Sequence, residues 1–168
     1  MTTINSGDQA QAATGSTTPA ADETEPWDRT DWTPEGIKQW NSQVIAEFRA
    51  NGGKVGGAYE GGDLILLTTT GARSGKPHTV PLGFLADGDR LIVSSFIETN
   101  YPAWYHNLRA NPAVTIERGT ETFAATAAIP TGAERDQLWA YVTAQWPLLL
   151  DHQAKTTLAL PLVVFHRR

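Results

Sequence analysis

Ile37, Trp40, Val44, Ile45 and Phe48 recur at helical spacing behind Thr33-Pro34-Glu35, which predicts an amphipathic helix from Pro34 to about Asn51. Thr33 supplies an N-cap oxygen, Pro34 a preset first-turn φ and Glu35 a negative charge at the positive helix end. Gly52-Gly53 stops the helix, because glycine enters the left-handed conformation of a C-terminal cap at little cost. From Leu64 the pattern changes to short β-like runs: Leu64 to Thr70, Thr79 to Ala86, Arg90 to Phe96, Ala113 to Arg118, Glu121 to Ile129 and Leu162 to His166. Asp87-Gly88 reads as a two-residue hairpin turn.

Two helices interrupt the strands. Tyr101 to Arg109 forms a short one that stops near Asn111-Pro112, where the proline discourages continuation. Trp104 and Leu108 lie four apart and share its inward face, leaving Tyr105, His106 and Asn107 distributed around it. The other opens with Thr131-Gly132-Ala133-Glu134, a capping box, and carries Leu138, Trp139 and Val142 on one face. Strands joined mostly by tight turns, with helices inserted late, favour an α+β fold built on an antiparallel barrel of about six strands.

A chain of 168 residues is the length of one domain. Residues 1–25 are polar and small, with too few large apolar side chains to offset the entropy of ordering, and read as a disordered tail ahead of a single domain over 26–168. Trp27 and Trp32 break that pattern; they cap the domain's own core or touch a membrane surface or partner. The tail holds four acids and no Lys or Arg, so the formal charge of -5 leaves the body near -1. Without a broad basic face, nucleic acid is not an expected partner. The absence of cysteine excludes disulfides and thiolate sites and fits a reducing cytoplasm. No apolar run reaches a membrane span of about 18 residues, and no signal peptide is evident. The four histidines, His78, His106, His152 and His166, show no metal-ligand spacing.

The chemistry-bearing segment is the turn after the first strand, Thr68-Thr69-Thr70-Gly71-Ala72-Arg73-Ser74-Gly75-Lys76-Pro77-His78. Gly71 and Gly75 allow close backbone approaches, while Arg73, Ser74, Lys76 and His78 present donors. Arginine holds phosphate bidentately and lysine adds a point charge, so the turn reads as an anion cradle; an ordinary solvated hairpin would use many of the same residues. It is neither a Walker loop nor a Gly-x-Gly-x-x-Gly turn. A third segment, Tyr141 to His152, contains Trp146, Leu149 and His152 around Pro147, which ends one helix or starts another turn. Its apolar run packs inside or walls a substrate pocket.

Leu66-Leu67-Thr68-Thr69-Thr70-Gly71, Arg73-Ser74-Gly75, Pro77, Pro81-Leu82, Pro102-Ala103-Trp104-Tyr105-His106-Asn107-Leu108, Asn111-Pro112 and Pro161-Leu162-Val163-Val164 together resemble the deazaflavin-dependent nitroreductase family. The likeness runs from about Gly56 to Phe165. It implies a split β-barrel with flanking helices, related to flavin-binding proteins, and coenzyme F420 as cofactor, with FMN as the alternative. By this resemblance Ala72, Arg73, Ser74, Gly75 and Lys76 hold the coenzyme's phosphate and acidic tail. His78, Thr79, Val80, Pro81, Leu82 and Gly83 line the ring through backbone groups. Ser94 and Ser95, the helix residues Ala103, Trp104, Tyr105, His106 and Asn107, and Leu149 complete the site.

The implied reaction is hydride transfer to an apolar, activated small molecule: a quinone, an enone, a lactone or a nitro compound. The alternative is a protein that carries the coenzyme without turning over a substrate. Split barrels commonly pair, so a homodimer is expected. Two departures from the family pattern bear on the chemistry. A basic pair after Thr-Thr-Thr-Gly is here Ala72-Arg73, and His78 stands where a basic residue is frequent. Where nitroreducing members carry tyrosines this chain has Trp146, Leu149 and His152, leaving Trp146 and His152 as the candidate catalytic residues, with His152 the proton donor; Leu158 also replaces a common arginine.

Overall fold

The computed structural model describes residues 33–56, 64–95 and 100–168. The expected tail over 1–25, the docking of Trp27 and Trp32 and the strand end at Phe96 lie outside the described residues.

Helix α1 (Pro34–Ala50) starts where Thr33 is extended and its hydroxyl accepts the Gly36 N–H at 3.0 Å. Gly52 and Gly53 take φ of 65° and 94°. The Gly53 N–H then reaches back to the Phe48 carbonyl at 2.8 Å, which satisfies a carbonyl that the helix end would leave free. Val44 and Phe48 are buried against Leu64 and Leu66, seating α1 on the first strand.

The strands are β1 (Leu64–Thr70), β2 (Pro77–Gly83), β3 (Leu85–Asp87), β4 (Arg90–Ser94), β5 (Ala113–Arg118), β6 (Glu121–Ala128) and β7 (Leu162–Arg167). They form one seven-stranded sheet in the order β2-β1-β5-β6-β7-β4-β3. Every pairing among these strands is antiparallel. β2 and β3 occupy opposite edges yet only Phe84 separates them. The sheet must therefore curl until its edges approach one another at that residue, and Phe84 is buried in the core there.

Where the sequence predicts one strand over Thr79 to Ala86, the chain thus forms two, because one straight strand cannot serve both edges. The expected hairpin turn also shifts by one residue. Asp87 pairs with Arg90, so Gly88-Asp89 makes the turn, with the required positive φ of 62° falling on Gly88.

Alternation along the strands sorts the core into two layers. Ile65, Leu67, Leu91, Val93, Val163 and Phe165 face inward with Trp104 and Leu108. Their neighbours Ile92, Leu162 and Val164 face outward, under Leu138, Val142 and Leu149 of the covering helices. With both faces buried, these strands read as nearly continuous apolar runs. Each such leucine or valine contributes about 1.5–3 kcal/mol by leaving water.

The helices are α2 (Ala103–Ala110), α3 (Gly132–Gln145) and α4 (Leu148–Gln153). Pro147 does separate α3 from α4. The capping box does not form: Thr131 stands at the N-cap of α3 but its side chain makes no cap bond. Gly132 has φ of 60°, a left-handed step that carries the hydroxyl away from the free N–H groups of the first turn.

Candidate functional site: a hairpin loop pinned by a buried asparagine

The β1–β2 hairpin closes with Thr70 opposite Pro77, leaving residues 71–76 as its loop. Two backbone bonds tie the loop, Gly71 N–H to the Lys76 carbonyl at 2.8 Å and Gly75 N–H to the Gly71 carbonyl at 3.0 Å. The Lys76 N–H donates to Ser74 Oγ at 3.1 Å, and that oxygen lies 3.5 Å from His78 Nε2. Gly75 has φ of 70°, where a larger residue would be strained. A Cβ at Gly71 would stand 2.5 Å from Ser74 Oγ and 2.9 Å from His78 Nε2. A side chain at 71 would therefore displace Ser74 and His78 from their present positions, and the positive φ at 75 favours glycine.

Behind the loop sits Asn107, 8 % exposed. Its Oδ1 accepts the Ala72 N–H at 3.0 Å and its Nδ2 donates to Thr69 Oγ1 at 3.1 Å. Both ends of a buried amide are satisfied, so α2 and the loop are fixed to each other rather than merely adjacent. Thr69, itself buried, is the partner that sequence reasoning missed; a hydroxyl on an inward strand position beside a polar helix residue is the signal that was present.

Arg73, Ser74, Lys76 and His78 are all exposed on this pinned frame. Neither Arg73 nor Lys76 pairs with a carboxylate among the described residues. Two exposed cations without a carboxylate partner among the described residues, on a hydrogen-bonded loop, form a donor set suited to phosphate or carboxylate oxygens.

The remaining expected residues divide into groups. Val80 packs against the inner core and Leu82 belongs to it. Thr79 shares a hydrogen bond of 2.8 Å with Thr68 through their hydroxyls. Pro81 is buried and Gly83 half-buried; because β2 is a sheet edge, the backbone of this stretch rather than its side chains is what a ligand could meet. Ser94 Oγ donates to the Pro161 carbonyl at 2.7 Å, clasping β4 to the segment before β7. Ser95 is buried and already partnered. On α2, Ala103 and His106 are exposed, while Trp104 and Tyr105 are buried.

Leu149 is buried in the outer layer and Trp146 packs against it from α3's end. His152 is half-buried and has a partner. These three residues therefore belong to the helical cover rather than to the loop. Tyr101 links the two regions: it packs against both core layers and its hydroxyl donates to the Ala159 carbonyl at 2.8 Å. The Gln153 side chain in turn holds the Leu158 carbonyl and the Leu160 N–H.

A groove of about 680 Å³ lies elsewhere, along Asp87, Arg90, Arg118, Phe123 and Arg167. Three of its arginines are engaged, Arg90 with Asp87, Arg167 with Glu121 and the Phe123 ring, Arg118 over the Phe84 ring, and Arg168 lines it as well. Among the described residues no cluster of three or more His, Cys, Asp or Glu could hold a metal ion, and no helix is long and apolar enough to cross a membrane.

A relative from Mycobacterium tuberculosis, an F420H(2)-dependent quinone reductase, is 34% identical over 129 residues, covering 73% of this chain and 87% of that protein. Among solved structures, an F420-H2 dependent reductase (FDR-A) is 30% identical with a TM-score of 0.55, covering 62% of this chain and 94% of that one. Another, described as a domain-swapped dimer, is 26% identical with a TM-score of 0.58 and covers 80% of this chain and 100% of that one. The model of the F420H(2)-dependent quinone reductase family matches residues 40–167, a span that includes the pinned loop, α2 and both helices of the cover, and the chain belongs to that family of oxidoreductases.

Proposed function

We propose that this protein is an F420H2-dependent reductase of quinones and related apolar, activated acceptors. The observation that carries the reading is the exposed, uncommitted pair Arg73 and Lys76 on a loop that Gly71 shapes and Asn107 pins. The donor set fits the coenzyme: its phosphate and acidic tail need cations and N–H groups, and the loop offers both with no competing carboxylate among the described residues. Arg73, Ser74 and Lys76 would hold that end, with the free edge of β2 from His78 to Gly83 beside the ring.

Bound coenzyme would supply the hydride, which is the difficult part of the chemistry. This chain's own residues grip the acidic end and hold the loop rigid, so that the reactants meet in a fixed orientation. Trp146, half-buried over the Leu149 core of the helical cover, offers apolar surface that suits an acceptor without charge. The reaction is placed in the cytoplasm, which the absence of cysteine among 168 residues fits. Two copies are proposed to pair, as in the domain-swapped structural neighbour.

The reading is tested by mixing protein and reduced F420 without oxygen and following the deazaflavin absorbance as quinones, enones, lactones and nitro compounds are added. Turnover is expected with quinones ahead of nitro compounds. Tight binding of F420 with no turnover of any acceptor would make the protein a carrier of the coenzyme instead.

A further inference from the structure

His78 is exposed, yet its ring edge lies over the loop. A Cβ placed on Gly71 would meet His78 Nε2 at 2.9 Å, His78 Cδ2 at 3.1 Å and Ser74 Oγ at 2.5 Å. The imidazole and the serine hydroxyl thus share the space that the missing side chain leaves. Nε2 and Oγ are 3.5 Å apart, at the long end of hydrogen-bonding distance.

The hydroxyl has one proton and two lone pairs to place. One lone pair accepts the Lys76 N–H at 3.1 Å. If Nε2 carries no proton, the hydroxyl proton goes to the ring and Ser74 has no donor left. If Nε2 is protonated, it donates into the second lone pair, and the hydroxyl proton turns away from the ring toward whatever the loop faces. A neutral imidazole has either arrangement open to it, according to its tautomer; an imidazolium has only the second.

We propose that His78 is a positioning residue for the coenzyme's anionic end: as an imidazolium it turns the Ser74 hydroxyl into a donor toward the phosphate and stands as a third cation beside Arg73 and Lys76. This rests on the reductase reading above and adds that the loop's grip depends on proton uptake. The surroundings suit the role. Among the described residues no carboxylate pairs with His78. α1 packs on β2; of its charges, Glu47 holds the Gly56 N–H and Arg49 pairs with Glu117, leaving Glu35 and Lys38 exposed. α2, behind the loop, carries His106 and Arg109 at exposed positions. An anion arriving among the loop cations favours the charged ring, so proton uptake and coenzyme binding assist one another.

Histidine changes charge between about pH 5 and 8, which sets the test. F420 affinity is measured by fluorescence titration at about pH 5.5 and about pH 8 for wild type, His78→Gln, His78→Lys and Ser74→Ala. Any titration of the coenzyme itself is common to all four proteins and cancels when their ratios of affinity at the two pH values are compared. The wild-type ratio should exceed that of His78→Gln about tenfold. His78→Lys, a permanent cation, should bind well at both pH values and give the same low ratio, so the two variants set the reference independently. Ser74→Ala should reduce the wild-type excess to about threefold, because only the charge of His78 then remains. An excess that Ser74→Ala leaves whole would make His78 a plain charge and overturn its positioning of Ser74. A wild-type ratio equal to that of both His78 variants would overturn the proposal with F420 binding intact. Failure of wild type to bind F420 at either pH would instead remove the coenzyme reading on which it rests.

Discussion

At the scale of single residues, the shape of the 71–76 loop depends on the Asn107 amide that holds it from behind. Asn107→Leu keeps the size of the side chain but strands the Ala72 N–H and the Thr69 hydroxyl, both now bonded to it. Leaving buried polar groups unmade costs about 1–3 kcal/mol, so the urea midpoint should fall accordingly. F420 affinity should fall with it, although Arg73 and Lys76 are untouched; unchanged affinity in a folded Asn107→Leu protein would mean that the loop keeps its shape alone. Tyr105 gives a second residue-scale expectation, now in pH. Its pKa is raised in the folded state by burial, so the folded protein holds that proton more tightly than the unfolded chain. Stability from this source is complete below the unfolded value of about 10 and is lost as pH rises through the raised folded value. Denaturation at about pH 8 to 11 should show a decline that Tyr105→Phe makes shallower; identical slopes would argue against a buried phenol.

At the scale of elements, glycines place α1 as much as apolar burial does. Gly53 has φ of +94°, and a Cβ there would lie 2.5 Å from the Gly119 Cα. Backbone meets backbone at that point, and neither side can step aside cheaply. Gly53→Ala should cost about 1–3 kcal/mol through strain alone, seen as a lower denaturation midpoint with an unchanged m-value. Because the Leu66↔Glu117 and Thr68↔Thr115 pairs put Gly119 level with Leu64, at the end of β1 remote from the loop, F420 affinity should stay as it is. A large loss of affinity would contradict that separation.

The elements also show what the sequence made legible. The runs Leu64 to Thr70 and Ala113 to Arg118 match β1 and β5 residue for residue, since apolar and β-branched residues bounded by turn formers leave few alternatives. The break at Phe84 was not readable, because the requirement that the chain change edges is set by the whole sheet. Thr131 and Glu134 satisfied the spacing of a capping box, but spacing carries no information about Gly132 turning left-handed. Within the site, the exposed donors of the loop could be read from residue type. That Asn107 serves the loop from behind, and that Trp146, Leu149 and His152 belong to the helical cover, depends on contacts between segments far apart in sequence.

At the scale of the whole molecule, a seven-stranded sheet whose edges meet at one residue holds the loop at one end of a rigid, two-layered frame. Phe84 is 7% exposed at that junction, and truncation to alanine should cost about 3–5 kcal/mol, as a cooperative fall in stability rather than local fraying. A loss below 1 kcal/mol, on the order of an exposed substitution, would mean that the edges do not depend on it. The central claim is that this frame presents Arg73 and Lys76 to the acidic end of a deazaflavin. Titration of the purified protein with F420 at low and moderate salt, beside an Arg73→Ala, Lys76→Ala double variant and an FMN control, tests it most directly. The account predicts selective binding of F420 that weakens with salt and that the double variant loses while remaining folded; equal, weak binding by both proteins would contradict it.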